Sequence, residues 1–181
     1  MVQVMDHHAH AALEELHRRY SKRLLGYFIR MLNRDKDLAQ DYVQELFLRL
    51  MEKKHLYDPE KKFYSWVFAI ASNMCKTSYR HFGKTVSLHP VSHDSGISDE
   101  SLTEKNEFLN ALQQALDELD HLHKDVFVLR YLEHFSLQEI ATILEIQVGT
   151  VKSRLFNATR KMAARLHDFN PAYESTLFKM N

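Results

Sequence analysis

Apolar side chains recur at spacings of three and four along most of this chain, the signature of helices with one buried face. Leu13, Leu16, Tyr20, Leu24, Tyr27 and Met31 form the first such row. Residues 33–35 interrupt it. Leu38, Tyr42, Val43, Leu46 and Leu50 resume it, leaving Asp41, Gln44, Glu45 and Arg49 outward. The run Asp37-Leu38-Ala39-Gln40 has capping-box character and predicts a helix start at Asp37. After Asp58-Pro59 a third row comprises Phe63, Trp66, Val67, Ile70, Ala71 and Met74, with Asn73, Lys76 and Arg80 on the other side. Trp66 keeps the apolar spacing, which points to core rather than to a base-stacking platform. A second block carries Leu112, Leu116, Leu119 and Leu122, then Val126, Leu129 and Leu132. Leu137, Ile140, Ala141 and Leu144 mark one short helix, the joint Glu145-Ile146-Gln147 follows, and a last helix starts at Val148.

Between the blocks, residues 83–107 hold Pro90, Gly96, several Ser and clustered acids without a sustained apolar period. They are expected to form a linker, and its length favours two independently packed units. Only four Gly and three Pro occur in 181 residues, and β-branched runs are absent, so an all-α fold of two small helical domains is expected. The expected division is a first domain over 1–83, a linker over 84–107, a second domain over 108–167 and a tail over 168–181. The tail, with Phe169, Tyr173, Leu177 and Phe178, is apolar enough to dock on the second domain or on a partner.

Charge changes the picture only locally. Lys and Arg together number 24, as do Asp and Glu, so the whole chain has no basic excess for nucleic acid. From Val148 to His167, however, there are five Lys or Arg and no acid. On a helical wheel Val151, Leu155, Ala158, Met162 and Leu166 fall in one apolar arc; Ser153, Asn157 and Arg160 lie roughly opposite, flanked by Lys152 and Arg154. Two helices joined by a tight turn, the second basic, form the helix-turn-helix pattern. Arg can bond guanine bidentately, Asn can pair with adenine, and Lys neutralises phosphate. Periodicity alone fits a merely solvated amphipathic helix equally well; the lack of acids and the three-residue joint favour DNA.

Other chemistry finds little support. There is no phosphate loop, no nucleophile setting and no paired-ligand metal spacing, so an enzyme is the least expected class and no cofactor is predicted. Cys75 is the single cysteine, which rules out an internal disulfide and fits a reducing cytoplasm. Cys75 and the N-terminal His residues are read as structural or incidental rather than as metal ligands. No apolar run approaches the roughly 20 residues that span a bilayer. The start, with Asp6, His7, His8 and His10, lacks the basic and apolar regions of a signal peptide, so a cytoplasmic protein without membrane insertion is expected.

Ser136-Leu137-Gln138-Glu139-Ile140-Ala141 and Val148-Gly149-Thr150-Val151-Lys152-Ser153-Arg154-Leu155 resemble region 4 of sigma-70 family RNA polymerase sigma factors, as does Ala115-Leu116-Asp117-Glu118-Leu119 upstream. The run from Asp37 to Leu50 resembles region 2, and so does the run from Phe63 to Asn73. The two sets stand in the family's order. The chain lacks room for the family's extra domains, so it resembles the compact extracytoplasmic-function (ECF) group. Two departures bear on the joint. Glu145 stands where the family often has Gly, and Gln147 where it often has Ser. Glu in a left-handed turn is strained by roughly a kcal/mol, so a differently shaped joint is expected.

The resemblance implies a transcription initiation factor that binds core RNA polymerase and directs it to promoter DNA. A stand-alone helix-turn-helix regulator is the alternative. Carried over, Asp41, Gln44, Glu45, Phe47 and Met51 contact a coiled coil of the polymerase, though Phe47 and Met51 also suit a core. Residues 55–62 and the helix after them capture the −10 element, with Asn73 lining a pocket for a flipped base and Lys76 and Arg80 holding phosphate. Region 4 reads the −35 element through Lys152, Ser153, Arg154 and Asn157, with Arg160 and Lys161 nearer phosphate. Thr150 would bond a phosphate near the helix start. Asn157 stands where a basic residue is common, which leaves the promoter sequence open. Gly149 is expected to allow close backbone approach. The acids of residues 94–107 would run toward the RNA exit path or simply be solvated, and an anti-sigma partner is implied by family habit.

Overall fold

The computed structural model describes residues 9–82 and 100–167, and all the regular structure among them is helical. The first unit comprises α1 (Ala9–Met31), α2 (Lys36–Glu52) and α3 (Phe63–Phe82), with a short 3-10 turn at Lys54–Leu56. The second comprises α4 (Glu100–Asp117), α5 (His121–Phe127), a π-helical turn at Val128–Leu132, α6 (Leu137–Leu144) and α7 (Val148–Leu166).

Local chemistry sets most of these boundaries. Asp35 caps α2, its Oδ1 accepting from the Leu38 amide at 2.9 Å, so the helix begins at Lys36 and not at Asp37. Asp120 does the same for α5 at the His123 amide. Ser136 and Glu139 close a full capping box on α6: the Glu139 amide donates to Ser136 Oγ at 3.2 Å and the Ser136 amide to Glu139 Oε2 at 2.9 Å. Helix α4 starts at Glu100, so residues 100–107, expected in the linker, are helical. The rest of the expected linker, from 83 to 99, lies outside the described residues, as do the N-terminal His cluster at His7 and His8 and the tail from 168.

Leu24, Tyr27, Phe28, Leu46, Leu50, Val67 and Phe68 are buried in the first unit; Leu116, Leu129, Ile140, Val151 and Leu155 are buried in the second. Each such side chain contributes about 1.5–3 kcal/mol by leaving water. The two sets do not form separate cores. They join in one cluster, because α3 packs along α6 more extensively than along either α1 or α2. Phe135, just beyond the π-helical turn, stacks on Tyr64 with ring centroids 4.7 Å apart and meets the edge of Phe68 at 5.2 Å. Independent packing of the two units was the expectation; the apolar and polar matching across this seam is why the units dock instead.

Candidate polymerase and nucleic-acid interface

The outer face of α2 follows helical arithmetic. Asp41, Gln44 and Glu45 are exposed, and Arg49 pairs with Glu45 at 2.8 Å. Phe47 does not join them. It is 7% exposed and lies against the His17 ring, because it stands four residues after Val43 and three before Leu50 on the inner face. The apolar group on the outer row is Leu48, 62% exposed, a residue the sequence reading passed over. Its position, three and four residues after Glu45 and Gln44, was the available signal. Met51 is half-buried against the core.

On α3, Asn73 and Arg80 are exposed and Lys76 is half-buried. The Lys76 ammonium lies 3.4 Å from Asn73 Oδ1 and donates to the Leu144 carbonyl, at the end of α6, at 3.2 Å. Trp66 packs with Tyr57 and Phe63, ring centroids 5.1 and 6.1 Å away, but it is half-buried at the edge of the core rather than within it. Cys75 is buried, and burial pushes its thiol pKa well up, which makes it inert. In the loop before α3, Tyr57 donates to the Lys61 carbonyl at 2.8 Å, and Lys62 pairs with Glu139 of α6 at 2.9 Å.

The α6–α7 pair has the geometry of a helix-turn-helix. Glu145 takes the left-handed conformation, φ 56° and ψ 45°, so the joint has the shape a Gly would give, contrary to the expectation of a different one. Its amide turns back to Thr142, and the Ile146 amide donates to the Ala141 carbonyl at 3.0 Å; together these make a Schellman closure. Gln147 occupies the cap position of α7 without a side-chain cap bond. A Cβ at Gly149 would meet no atom of this chain within 4 Å, so packing within the chain does not require a glycine there.

Val151, Leu155, Ala158, Met162 and Leu166 are buried, so the predicted apolar arc of α7 is its packed face. Lys152, Ser153 and Arg160 are exposed, while Thr150, Arg154 and Asn157 are half-buried. Ser153 Oγ donates to the Thr150 carbonyl at 3.0 Å. Arg154 lines an open groove between α6 and α7 with Gln138, Thr142 and Gln147. Lys161 differs from the others: its ammonium pairs with Asp120 at 3.3 Å, at the α4–α5 corner.

Two buried acids of the second unit face the first, and the sequence reading found neither. Asp125 accepts from the Tyr27 hydroxyl at 2.9 Å and from the Ser72 hydroxyl at 2.8 Å. Burial raises its pKa, opposed by those two hydrogen bonds. Glu133 accepts from Arg23 Nε at 2.7 Å and from the Tyr64 hydroxyl at 2.9 Å. Arg34 adds a bond to Asp117 at 2.9 Å.

These features define a two-unit helical protein whose second unit carries a helix-turn-helix. Family models described as Sigma-70 region 2 and Sigma-70, region 4 match residues 16–84 and 109–162. The chain is 30% identical to RNA polymerase sigma factor CarQ of Myxococcus xanthus, over 85% of this chain and 88% of that one. It is 29% identical to ECF RNA polymerase sigma factor SigW of Bacillus subtilis, over 82% and 86%. Its fold is similar to that of the sigma factor RpoE of Bartonella quintana, solved in complex with the anti-sigma factor NepR, with a TM-score of 0.66 at 21% identity, covering 86% of this chain and 96% of that one. A similar likeness, TM-score 0.64 at 23% identity, holds for CnrH in complex with the cytosolic domain of CnrY, covering 87% and 89%. The chain belongs to the sigma-70 family, in its ECF group. It is a promoter-specific initiation factor that works through RNA polymerase. A stand-alone helix-turn-helix regulator is not favoured, since it leaves the region 2 match without a purpose. No described helix is long and apolar enough to cross a membrane.

Proposed function

We propose that this chain divides promoter recognition between its two units in the following way. The outer row of α2, with Asp41, Gln44, Glu45 and Leu48 and with Met51 at its edge, docks on core RNA polymerase. Phe47 supports that row from within the core. An exposed polar row beside an apolar side chain suits a helix-on-helix interface with a polar rim. The α3 face with Asn73, Lys76 and Arg80 binds the −10 element, and the α7 face with Thr150, Lys152, Ser153, Arg154, Asn157 and Arg160 reads the −35 element. Lys161, held by Asp120, adds only a nearby positive charge. The chain is a cytoplasmic, non-catalytic factor without a cofactor, and the partners in the two solved neighbours suggest that an anti-sigma factor controls it.

One observation carries the reading: the region 2 and region 4 matches fall, in the family's order, on two helical units whose polar faces α2 and α7 present outward. Run-off transcription with core polymerase and fragmented genomic DNA tests it. Discrete start sites that depend on this chain are expected. Absence of both core binding and promoter-specific transcripts would overturn the reading.

A further inference from the structure

Where α1 meets the N-terminal end of α3, aromatic rings are packed together but not sealed from water. Tyr20 of α1 and Phe63 of α3 have ring centroids 5.2 Å apart, and both are half-buried. Tyr57, which is buried, meets Phe63 at 6.0 Å and Trp66 at 5.1 Å. The Tyr57 hydroxyl closes the loop on the Lys61 carbonyl, and Asp58 Oδ1 accepts from the Glu60 amide at 3.1 Å. The rings and the loop before them therefore keep one shape. Tyr20 and Phe63 present the part of this cluster that water reaches.

The charge around those two rings is positive. Arg19 stands one turn before Arg23, whose guanidinium lies 4.8 Å over the Tyr64 ring, so Arg19 is on the α3 side of α1. Its side chain is 61% exposed. The acid beside it is Glu15, and that one carboxylate also serves Arg18. Two guanidinium groups on one carboxylate leave a positive balance, to which exposed Lys22 adds. In the loop, two residues before Phe63, Lys61 is 74% exposed, with Asp58 3.7 Å away. Single-stranded nucleic acid has the matching chemistry: each base offers a π-face to a ring and each linkage offers a charge to a cation. A duplex keeps its base faces stacked on one another and offers none.

The same rings continue the surface assigned to the −10 element. Phe63 precedes Asn73 by ten residues on one helix, about 15 Å along its axis. Lys76 and Arg80 lie beyond Asn73 in the other direction. The upstream DNA reaches α7 as duplex, since a recognition helix enters a major groove. Strand separation therefore runs from the −10 element toward the start site. We propose that Tyr20 and Phe63 form a stacking ledge, edged by Arg19 and Lys61, for the unpaired bases that follow the −10 element on its downstream side. This rests on the assignment of α3 to the −10 element. It gives α1 a direct part in promoter opening: the ledge holds the strand apart once α3 has captured it.

The test uses holoenzyme reconstituted from core polymerase and the full chain, with two fluorescent single strands from a start site mapped by run-off. The short strand ends with the −10 element. The long strand continues toward the start site and carries 2-aminopurine, whose emission falls on stacking, at each added position in turn. Tyr20→Leu keeps apolar bulk but removes the ring, and Tyr20→Phe keeps the ring. Arg19→Gln removes an exposed charge with no core to disturb. The parent should bind the long strand about tenfold tighter than the short one, as one stacked base provides, with emission quenched at an added position. Tyr20→Leu should lose most of that gain and the quench, while Tyr20→Phe should keep both. Arg19→Gln should weaken long-strand binding severalfold and make it less salt-dependent. All three should bind the short strand and core polymerase as the parent does.

A parent that gains nothing from the added nucleotides overturns the ledge, and so does a gain that Tyr20→Leu retains in full. Weaker core polymerase binding by a Tyr20→Leu chain of unchanged helicity places the ring on the polymerase surface and overturns the ledge as well. Should Tyr20→Leu lose helicity, the parent's gain and its loss in Arg19→Gln decide. Holoenzyme that binds neither strand overturns the assignment of α3 together with the ledge, whereas binding of the short strand without a gain from the long one overturns the ledge alone.

Discussion

Helices α3 and α7 carry equivalent duties in the proposed mechanism, yet their polar faces differ at one position. Each buries one apolar arc and presents amide and basic side chains on the other face. On α7 that face meets the solvent: Lys152, Ser153 and Arg160 are exposed. On α3 Asn73 and Arg80 are exposed as well, but Lys76 between them donates to the Leu144 carbonyl at the end of α6. The lesson is that a helix face is defined residue by residue, by what sits on each position. Each arm alone would bind promoter DNA weakly, and specificity would arise when polymerase holds both arms at once and raises the effective concentration of each.

The contrast depends on the units sharing a core, and core truncations test that with the largest effects. Phe68→Ala in α3 and Leu155→Ala in α7 should each cost about 2–5 kcal/mol. If the docked cluster is one cooperative body, calorimetry should give a single transition that both substitutions lower. Two transitions, each moved by only one substitution, would break the comparison by making the seam incidental.

The same distinction between inner and outer faces runs through α2 at neighbouring positions. Phe47→Ala should destabilise the fold by about 3–5 kcal/mol. Leu48→Ala should leave the Tm within a degree or two, as surface substitutions do within about 0.5 kcal/mol, and weaken core polymerase binding. A normal polymerase affinity for Leu48→Ala would remove that side chain from the proposed interface.

For α7, Arg154→Ala should lower −35-dependent transcription about ten- to a hundred-fold, since a bidentate base contact is worth about 1–3 kcal/mol. Core polymerase binding should stay intact. Equal loss of both would point to folding rather than to base contact.

Glu139 links Lys62, in the loop before α3, to the helix-turn-helix. The Ser136 backbone amide, then Lys62, hold its carboxyl at about 2 against an ordinary 4.5. The depressed value means that its contribution is complete above about 4.5 and is lost as pH falls from there toward about 2. Glu139→Gln should therefore flatten the fall in Tm across that window. An unchanged slope would assign the acid loss to other carboxylates.

The sequence carried a great deal of this. The apolar period found both faces of α7 and the three-residue joint, because a helix that packs on one side must repeat every three to four residues. It missed Asp125 and Glu133, since a carboxylate in a helix is ordinarily solvated and no local pattern marks one that a distant Tyr27 or Arg23 will meet. The sequence reading also carried Phe47 onto the outer row from the resemblance and passed over Leu48, although the spacing of Phe47 from Val43 and Leu50 puts it on the inner face. The packing of α1 against α2, with His17 on Phe47, agrees with that spacing. Capping was legible in principle: Ser136 and Glu139 have the spacing of a capping box, and Asp35 stands one turn before Leu38.

The smallest effect sits at the joint that positions α7. Glu145 is held at φ 56° although a Cβ makes that region unfavourable, by roughly 1 kcal/mol relative to a residue without one. The Schellman closure through Ile146 and Ala141 imposes the conformation, so the strain is local and the turn shape does not depend on the side chain. Glu145→Gly should relieve that strain, offset in part by the greater freedom of Gly in the unfolded chain. The net result should be a Tm equal to or slightly above the parent's, with −35-dependent transcription unchanged, because α7 keeps its entry angle. A clear fall in Tm would mean that the Glu145 side chain stabilises the joint by more than its backbone costs. A change in promoter choice would mean that this acid, which lines the same groove as Arg154, takes part in reading DNA.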